Sequence, residues 1–368
     1  MTALKIFQMN PYIGDEEVQE IADSVKNNWV TEGPKAKQFI EQILKYTGAK
    51  YGVLANNGTI ALYLALLVLG IKKGDEVIVT DFSFYASASV IHWIGATPVF
   101  VDITRDDFNI DVSKIEHKIT PRTKAIMPVH IYGCSADMDP IIEIAKKYHL
   151  KIVEDACQSL GVFYKNRHTG TLGDLGCFSF FADKTITTAG EGGMVITNDE
   201  ALYGKMSYLR NQGRLQSGTF IHPQFGVNFR LTDIAAGFGL AQLKKLEHII
   251  ETKLATYKLY KKLLGDLDEV EFLTTKPYTN FVPFRVNIKV KNLAQLLNHM
   301  EVHGVQTRGC FYPLHKQKIF EYLNYEDKDF PNAIFANENA MSLPVHLGMD
   351  DEKIKYVCRV IKDFYKKQ

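Results

Sequence analysis

Several things are scarce in this 368-residue chain, and each scarcity removes a class of explanation. Cysteine is sparse. Cys134, Cys157, Cys177, Cys310 and Cys358 are odd in number and scattered, with no CxxC pair, so neither a disulfide framework nor a zinc site is expected. They read as reduced thiols, and Cys157 as a small core side chain. Net charge is almost absent. Lys and Arg total 43 against 42 Asp and Glu, which leaves +1 and no broad basic footprint for nucleic acid. The basic residues near the C-terminal end alternate with acids, as on a solvated helix face. No apolar run reaches the ~18 residues of a membrane-spanning helix. The opening MTALKIFQMNPYIGDEE has no basic stretch followed by an apolar one, so no secretory signal is read and a cytoplasmic location is expected. Internal repeats and low-complexity segments are also missing.

What is present is an ordinary enzyme composition, 46% hydrophobic and 23% charged, in a chain long enough for two domains. Val18, Ile21, Ala22 and Val25 recur at helical spacing within 15–28. Trp29 to Pro34 breaks that helix, and Phe39, Ile40, Ile43 and Leu44 mark a second. From Tyr51 on, short strands alternate with helices. Strands are expected at Tyr51–Ala55, Glu76–Thr80, Thr97–Val101, Ala125–Val129 and Lys151–Glu154. Helices are expected at Thr59–Leu69, Ala86–Ile94 and Met138–Tyr148. Continuous Val/Ile runs in this rhythm argue for a mostly parallel sheet covered on both faces. Such sheets bind ligands at the carboxyl ends of their strands, where Asn57, His130 and Asp155 fall. Leu231–Leu264 reads as one long helical stretch. After Gly265 the pattern changes to a half-buried antiparallel strand (Phe284–Val290), a helix (Leu293–Val302) and another short strand (Val305–Arg308). The expectation is α/β, with a large domain over residues 1–250 and a smaller α+β domain over 251–368.

The stretch around which the chain is organised is Gly176–Asn198, GCFSFFADKTITTAGEGGMVITN. Two apolar strands, Cys177–Phe181 and Met194–Thr197, flank a polar loop holding one lysine, Lys184. Upstream, Ile152 to Gln158 reads as a buried strand ending in an acid, Asp155. A lysine in a loop is ordinarily solvated surface. Paired with an acid at a strand end it gains a chemical meaning. Pyridoxal phosphate needs a lysine amine for its aldehyde and a carboxylate against its pyridine nitrogen.

Eight motifs then stand in order: NNGTIALYLAL (56–66), GDEVIV (74–79), GATPVFVDI (95–103), PVHIYG (128–133), VEDACQSLG (153–161), SFFADKTITTAGEGG (179–193), GVNFRLTDIAAGFGLAQL (226–243) and FYPLH (311–315). On these the chain resembles the DegT/DnrJ/EryC1/StrS sugar aminotransferases, from Trp29 to the C-terminal helix. The resemblance implies the fold type I architecture of pyridoxal phosphate-dependent aminotransferases, with a mostly parallel seven-stranded sheet. It implies Lys184 and Asp155 as catalytic residues. Gly58, Thr59 and Ser179 would hold the cofactor phosphate, Phe84 would stack on its ring, and Gln158 would approach its phenolic oxygen. Asn228 would reach the phosphate of a neighbouring subunit, making the unit a homodimer with shared sites. His130, Arg230, Tyr312 and His315 would face substrate, and no metal is implied.

The implied reaction moves an amino group from L-glutamate to a nucleotide-linked keto-deoxysugar, a 4-keto-6-deoxyhexose above others. The product would be an amino sugar for O-antigen or other surface polysaccharide. Two departures stand out. Ala189 replaces a Gly common in the family. Gln158 replaces a Glu typical of perosamine synthase-like members, which leaves related nucleotide sugars open. A family dehydratase, which carries histidine at the lysine position, and a non-catalytic scaffold are the alternatives.

Overall fold

The computed structural model describes residues 6–214 and 220–367. Two helices, α1 (Asp15–Lys26) and α2 (Pro34–Thr47), precede the alternating part. There follow β1 (Tyr51–Ala55), α3 (Gly58–Leu69), β2 (Glu76–Thr80), α4 (Ala86–Trp93), β3 (Thr97–Val101), β4 (Thr123–Met127), α5 (Met138–Tyr148) and β5 (Lys151–Asp155). A small hairpin, β6 (Phe163–Tyr164) and β7 (Arg167–His168), leads to β8 (Leu175–Ser179), β9 (Gly193–Thr197) and α6 (Glu200–Leu209). The large sheet has seven strands in the order β1-β9-β8-β5-β4-β2-β3. Only β9 runs against the others, pairing antiparallel with β1 and β8, while β8-β5-β4-β2-β3 are parallel. This is the mostly parallel seven-stranded sheet that the sequence implies. Its central strands are Val/Ile-rich because both faces are covered, as the wholly buried β2 shows.

The helix α3 is apolar on every side and lies against β8, β9 and β5. Asn57 caps its start by accepting a hydrogen bond from the Ile60 N–H at 2.9 Å. Gly70 ends it in the left-handed conformation at φ 77°.

Two helices, α7 (Asp233–Lys244) and α8 (Leu246–Leu264), replace the single long stretch expected, with a break at Lys245. Beyond them come β10 (Val270–Phe272), β11 (Val286–Val290), α9 (Leu293–Val302), β12 (Arg308–Gly309), α10 (Pro331–Asn339), β13 (Ala340–Leu343) and α11 (Asp351–Tyr365). The second sheet is antiparallel, in the order β10-β11-β13-β12. Val305 lies outside it and bridges Ile6 instead. The first half of α8 packs Ile249 and Ile250 into a core under the large sheet, and its second half packs Tyr260 and Leu264 into the core of the small one.

Two expectations about faces change. β11 is buried throughout rather than on one side, because Asn287 is held by Ser342 and Lys289 by Glu271 on the face opposite Val286 and Ile288. In α1 the two valines of the apolar stripe point outward, Val18 61% and Val25 53% exposed, while Ile21 and Ala22 are half-buried. The buried residues are Glu17 and Ser24. Glu17 is fixed from α7 and the residue after it, by Gln242 Nε2 at 2.8 Å and Lys245 Nζ at 2.9 Å. A periodic stripe establishes that a face exists, and here the polar contacts of Glu17 decide which side turns inward.

Candidate active site

At the carboxyl ends of β1, β5 and β8 lies a cavity of about 680 Å³, closed from the other side by residues of the small sheet. Of the residues singled out in the sequence, Gly58, Thr59, Phe84, Asp155, Gln158, Ser179, Lys184 and Tyr312 line it together.

Side chains alternate along a strand, so the neighbours Glu154 and Asp155 at the end of β5 face opposite ways. Asp155 turns to the cavity and is only 5% exposed. Its Oδ2 accepts from Ser87 Oγ at 2.7 Å and its Oδ1 from the Cys157 N–H at 3.2 Å. Ser87 is held in turn by Ser83, oxygen to oxygen at 2.9 Å, one turn earlier. The carboxylate is therefore locked before any ligand arrives.

Lys184 follows a tight turn closed by its own N–H on the Phe181 carbonyl at 3.0 Å. Thr187 Oγ1 and the Thr188 N–H both bind the Phe180 carbonyl and fold the loop back toward β9. The Lys184 amine stands 4.4 Å from the centre of the Phe284 ring, on the small-sheet side.

Between these two groups begins α3. Its first N–H groups, Gly58 and Thr59, have no acceptor within the helix. A Cβ on Gly58 would meet Ser179 Cβ at 2.7 Å and Cys157 Sγ at 3.0 Å, so only glycine lets the helix start this close to β8. Backbone N–H groups at a helix start, with the hydroxyls of Thr59 and Ser179 beside them, suit a phosphate. Phe84 offers a ring that is 59% exposed. Gln158 Oε1 accepts from the Tyr132 N–H at 2.9 Å, which leaves its NH₂ for the cavity. Tyr132 takes a left-handed φ of 53° to reach that position. These groups fit pyridoxal phosphate: donors for its phosphate, a fixed carboxylate, a ring to stack on and a lysine.

Four residues singled out in the sequence are placed elsewhere. His130 is fully buried behind the sheet end. Its Nδ1 accepts from the Ala136 N–H at 3.1 Å, so its Nε2 donates to Glu154 at 2.9 Å. Burial works to raise Glu154, but the bonds from His130 and the N–H groups of Gly173 and Gly170 outweigh it and hold the carboxyl below its usual range. His315 packs on Phe330 at 4.6 Å and bridges two acids, Asp81 at 2.7 Å and Asp327 at 3.0 Å. Burial pushes Asp81 up to about 6. For His315 burial works downward, and its bonds to Asp81 and Asp327 more than reverse that. The pair pins the Phe311–His315 segment to the end of β2. Asn228 is exposed on another side, bridged to Asn211. Arg230 donates to Asn211 there and borders a second hollow of about 470 Å³ with Arg210, Arg214 and Glu32.

The sequence reading missed Ser87, Arg285 and Arg308, all of which line the cavity. A signal existed for two of them. Ser83 and Ser87 stand four apart beyond a strand end, and Arg285 interrupts the otherwise apolar run Val282–Val286. Cys157 also lines the cavity, and burial raises its thiol well above its ordinary range.

Fold and cavity together define an aminotransferase of the pyridoxal phosphate-dependent class. The chain belongs to the DegT/DnrJ/EryC1/StrS aminotransferase family, whose model matches residues 11–362. It is 35% identical to a GDP-perosamine synthase of Escherichia coli O157:H7, over 99% of each chain. It is equally 35% identical to a UDP-N-acetyl-3-dehydro-alpha-D-glucosamine 3-aminotransferase of Acidithiobacillus ferrooxidans, over 90% of this chain and 88% of that one. Among solved structures, S. venezuelae DesV in complex with a ketimine intermediate superposes with a TM-score of 0.91 at 31% identity, covering 95% of this chain and 94% of that one. Among the described residues no cluster of side chains suits a metal ion, and no helix is long and apolar enough to cross a membrane.

Proposed function

We propose that the enzyme transfers an amino group from L-glutamate to the keto carbon of a nucleotide-linked deoxysugar, with a 4-keto-6-deoxyhexose the leading candidate. The observation that carries this reading is the meeting of Lys184, Asp155 and the open start of α3 in one cavity. The relatives named for GDP- and UDP-linked substrates support a nucleotide sugar and leave the nucleotide open. Lys184 speaks against a dehydratase.

When bound, the cofactor supplies a protonated ring that withdraws electrons from the reacting carbon. The chain's own groups do the rest. Asp155, fixed by Ser87, would keep the proton on the ring nitrogen. Gly58, Thr59 and Ser179 would hold the phosphate, and Phe84 would cover the ring. Lys184 would take the proton from the donor's α-carbon and return it at the carbon bearing the new amine. Tyr312, 48% exposed at the rim, is the sequence-selected residue best placed to meet the sugar nucleotide.

The working unit in this proposal is a cytoplasmic homodimer with shared sites, serving surface polysaccharide synthesis. Two observations support the shared site. Asn228 is exposed and outside its own cavity. The outward side of α1 and its flanks leave Tyr12, Ile13, Val18, Val25, Trp29 and Val30 exposed, apolar side chains of the kind an interface covers. Lys184→Ala and Asn228→Ala, co-refolded, should then regain activity that neither has alone. The same proposal places the domain division near residue 250, within α8, where the chain passes from one core to the other.

The substrate is tested by loading the protein with amine from glutamate and adding nucleotide-linked keto sugars one at a time. Return of the aldehyde chromophore with a 4-keto-6-deoxy sugar is the expected result. Return with none of a GDP-, UDP- and dTDP-linked panel would end the sugar reading.

A further inference from the structure

A second and much smaller hollow, with room of about 20 Å³, also borders the lysine loop. Lys184 lines both this hollow and the large cavity. Lys253 of α8 lines the hollow as well. It is 2% exposed, and its amine meets no hydrogen-bond partner among the described residues. A buried ammonium without a partner is one of the costliest groups a fold can keep. Its neighbours add to the cost. Arg285 and Lys184 repel it, and the acid that opposes them, Asp183, is already bonded to Arg285. Burial and then the charge of Arg285 push Lys253 down to about 7, with Lys184 adding to them and Asp183 opposing.

Three polar neighbours of the hollow are already spent. Gln242 Nε2 donates to the Tyr12 carbonyl and to Glu17. Thr187 Oγ1 donates to the Phe180 carbonyl. His346 accepts from the Gly348 N–H at Nδ1 and donates to the Phe7 carbonyl at Nε2, so its ring is neutral and has no free nitrogen. Thr185 differs. It is 7% exposed and makes no hydrogen bond to any described residue. The hollow therefore joins an unpaired ammonium to a threonine with unused donors, and no carboxylate lines it among the described residues.

We propose that this hollow binds a small monovalent anion of chloride size, held by the Lys253 ammonium and by Thr185. Size and charge choose the occupant. Room of about 20 Å³ takes one water-sized particle, which rules out phosphate, a carboxylic acid or a sugar. A water molecule fits but leaves the excess of positive charge standing. A halide accepts the same hydrogen bonds and offsets that charge. An ion from solvent enters past Asn10, which is exposed at the rim. The site gives Lys184 a counter-charge that comes from neither cofactor nor substrate, and it stands whatever sugar or donor the enzyme takes. The charged and titratable groups facing Lys253 are Asp183 and Lys184 from the lysine loop, Arg285 just before β11, His346, and Tyr12 from the segment before α1.

The test uses the cofactor-loaded enzyme, in which the start of α3 is occupied, with gluconate as the reference anion at constant ionic strength. Crystals soaked in bromide should show an anomalous peak between Lys253 and Thr185. Replacing gluconate by chloride should raise the wild-type melting temperature by about 2 °C once the site is about nine-tenths filled. Lys253→Met should fold, because an apolar chain of similar length replaces an unpartnered charge, and it should lose both the peak and the shift. Thr185→Val should weaken chloride about tenfold. In wild type the chloride concentration at half-filling should rise about tenfold for each pH unit above about 7, as Lys253 gives up the proton the anion needs. The inference is overturned if bromide appears only in the large cavity beside Arg285 or on surface lysines, or if Lys253→Met keeps the chloride response. A chloride affinity that stays flat from about pH 7 to about pH 9 overturns it equally, because it would put the ion on an arginine.

Discussion

The two walls of the cavity are built on different terms. On the large-sheet wall the carboxylate and the amide oxygen that face the cavity are already partnered by the fold. Asp155 is held by Ser87 and by the Cys157 N–H, and Gln158 by the Tyr132 N–H. On the small-sheet wall polar groups are left with valences open: Arg285 Nη1 and Gln8 Oε1 are buried without partners. A wall that holds the same ligand through every cycle gains from groups fixed in advance, because no reorganisation is needed at the moment of reaction. A wall that meets two different substrates in turn cannot be complementary to both, and it keeps its donors and acceptors free.

The comparison is broken most severely at Lys184. Lys184→Ala should lose at least ~10³-fold in turnover, since proton transfer and cofactor attachment go together. Borohydride should fix the cofactor to Lys184 in wild type, and peptide mapping that found it on another lysine would refute the assignment. Next comes the fixed carboxylate. Asp155→Asn should fold normally and lose roughly 10²- to 10³-fold in turnover. Ser87→Ala, which frees the same carboxylate without removing it, should lose about tenfold. Equal losses for the two would mean that the fixing, not the charge, carries the effect.

Gly58→Ala sharpens the comparison from the backbone side. The new Cβ meets Ser179 Cβ at 2.7 Å, so α3 must shift off β8. A stability loss of about 1–3 kcal/mol is expected, with a larger drop in phosphate-dependent cofactor retention. A melting curve and a cofactor dialysis assay separate the two.

The smallest effect concerns the Phe311–His315 segment, which His315 pins to Asp81. Both groups hold their protons more tightly in the folded state. Stability from such groups is complete below their unfolded pKa values and is lost as pH rises through the folded ones. The stability gap between wild type and His315→Gln should therefore narrow as pH rises through the folded pKa of His315. A gap that stays constant with pH would show that the pair is not proton-linked.

The large-sheet wall was legible in the sequence and the small-sheet wall was not, for a physical reason. Strand ends, helix starts and turns are local, so Asp155 and the start of α3 could be placed at the strand ends from the βα rhythm, and the resemblance then gave Gly58 and Thr59 their role beside Lys184. The small-sheet wall is assembled from Gln8, Phe284, Arg285, Arg308 and Ser342, brought together only by long-range pairing. Polar contacts formed at a distance also overruled local pattern in α1, where a hydrogen bond from Gln242 and an ion pair with Lys245 drew Glu17 inward and left the valines outside. His130 falls at a strand end as expected, yet its ring is taken by Glu154 and the Ala136 N–H. One local departure was visible from the start: Ala189, where the family commonly has Gly, sits at φ 58°, a conformation glycine adopts without strain.

The opposite orientation of Glu154 and Asp155 also bears on how this chain can change length. Adding or deleting one residue inside β5 would exchange the two acids, sending one carboxylate to His130 with the wrong reach and offering the other to the cavity without Ser87. Substitutions along 151–153 can be absorbed by neighbouring side chains, whereas a shift in count cannot. In a library of single-codon insertions and deletions, survivors should disappear across 151–155 and reappear at the exposed Lys165–Asn166 turn a few residues later.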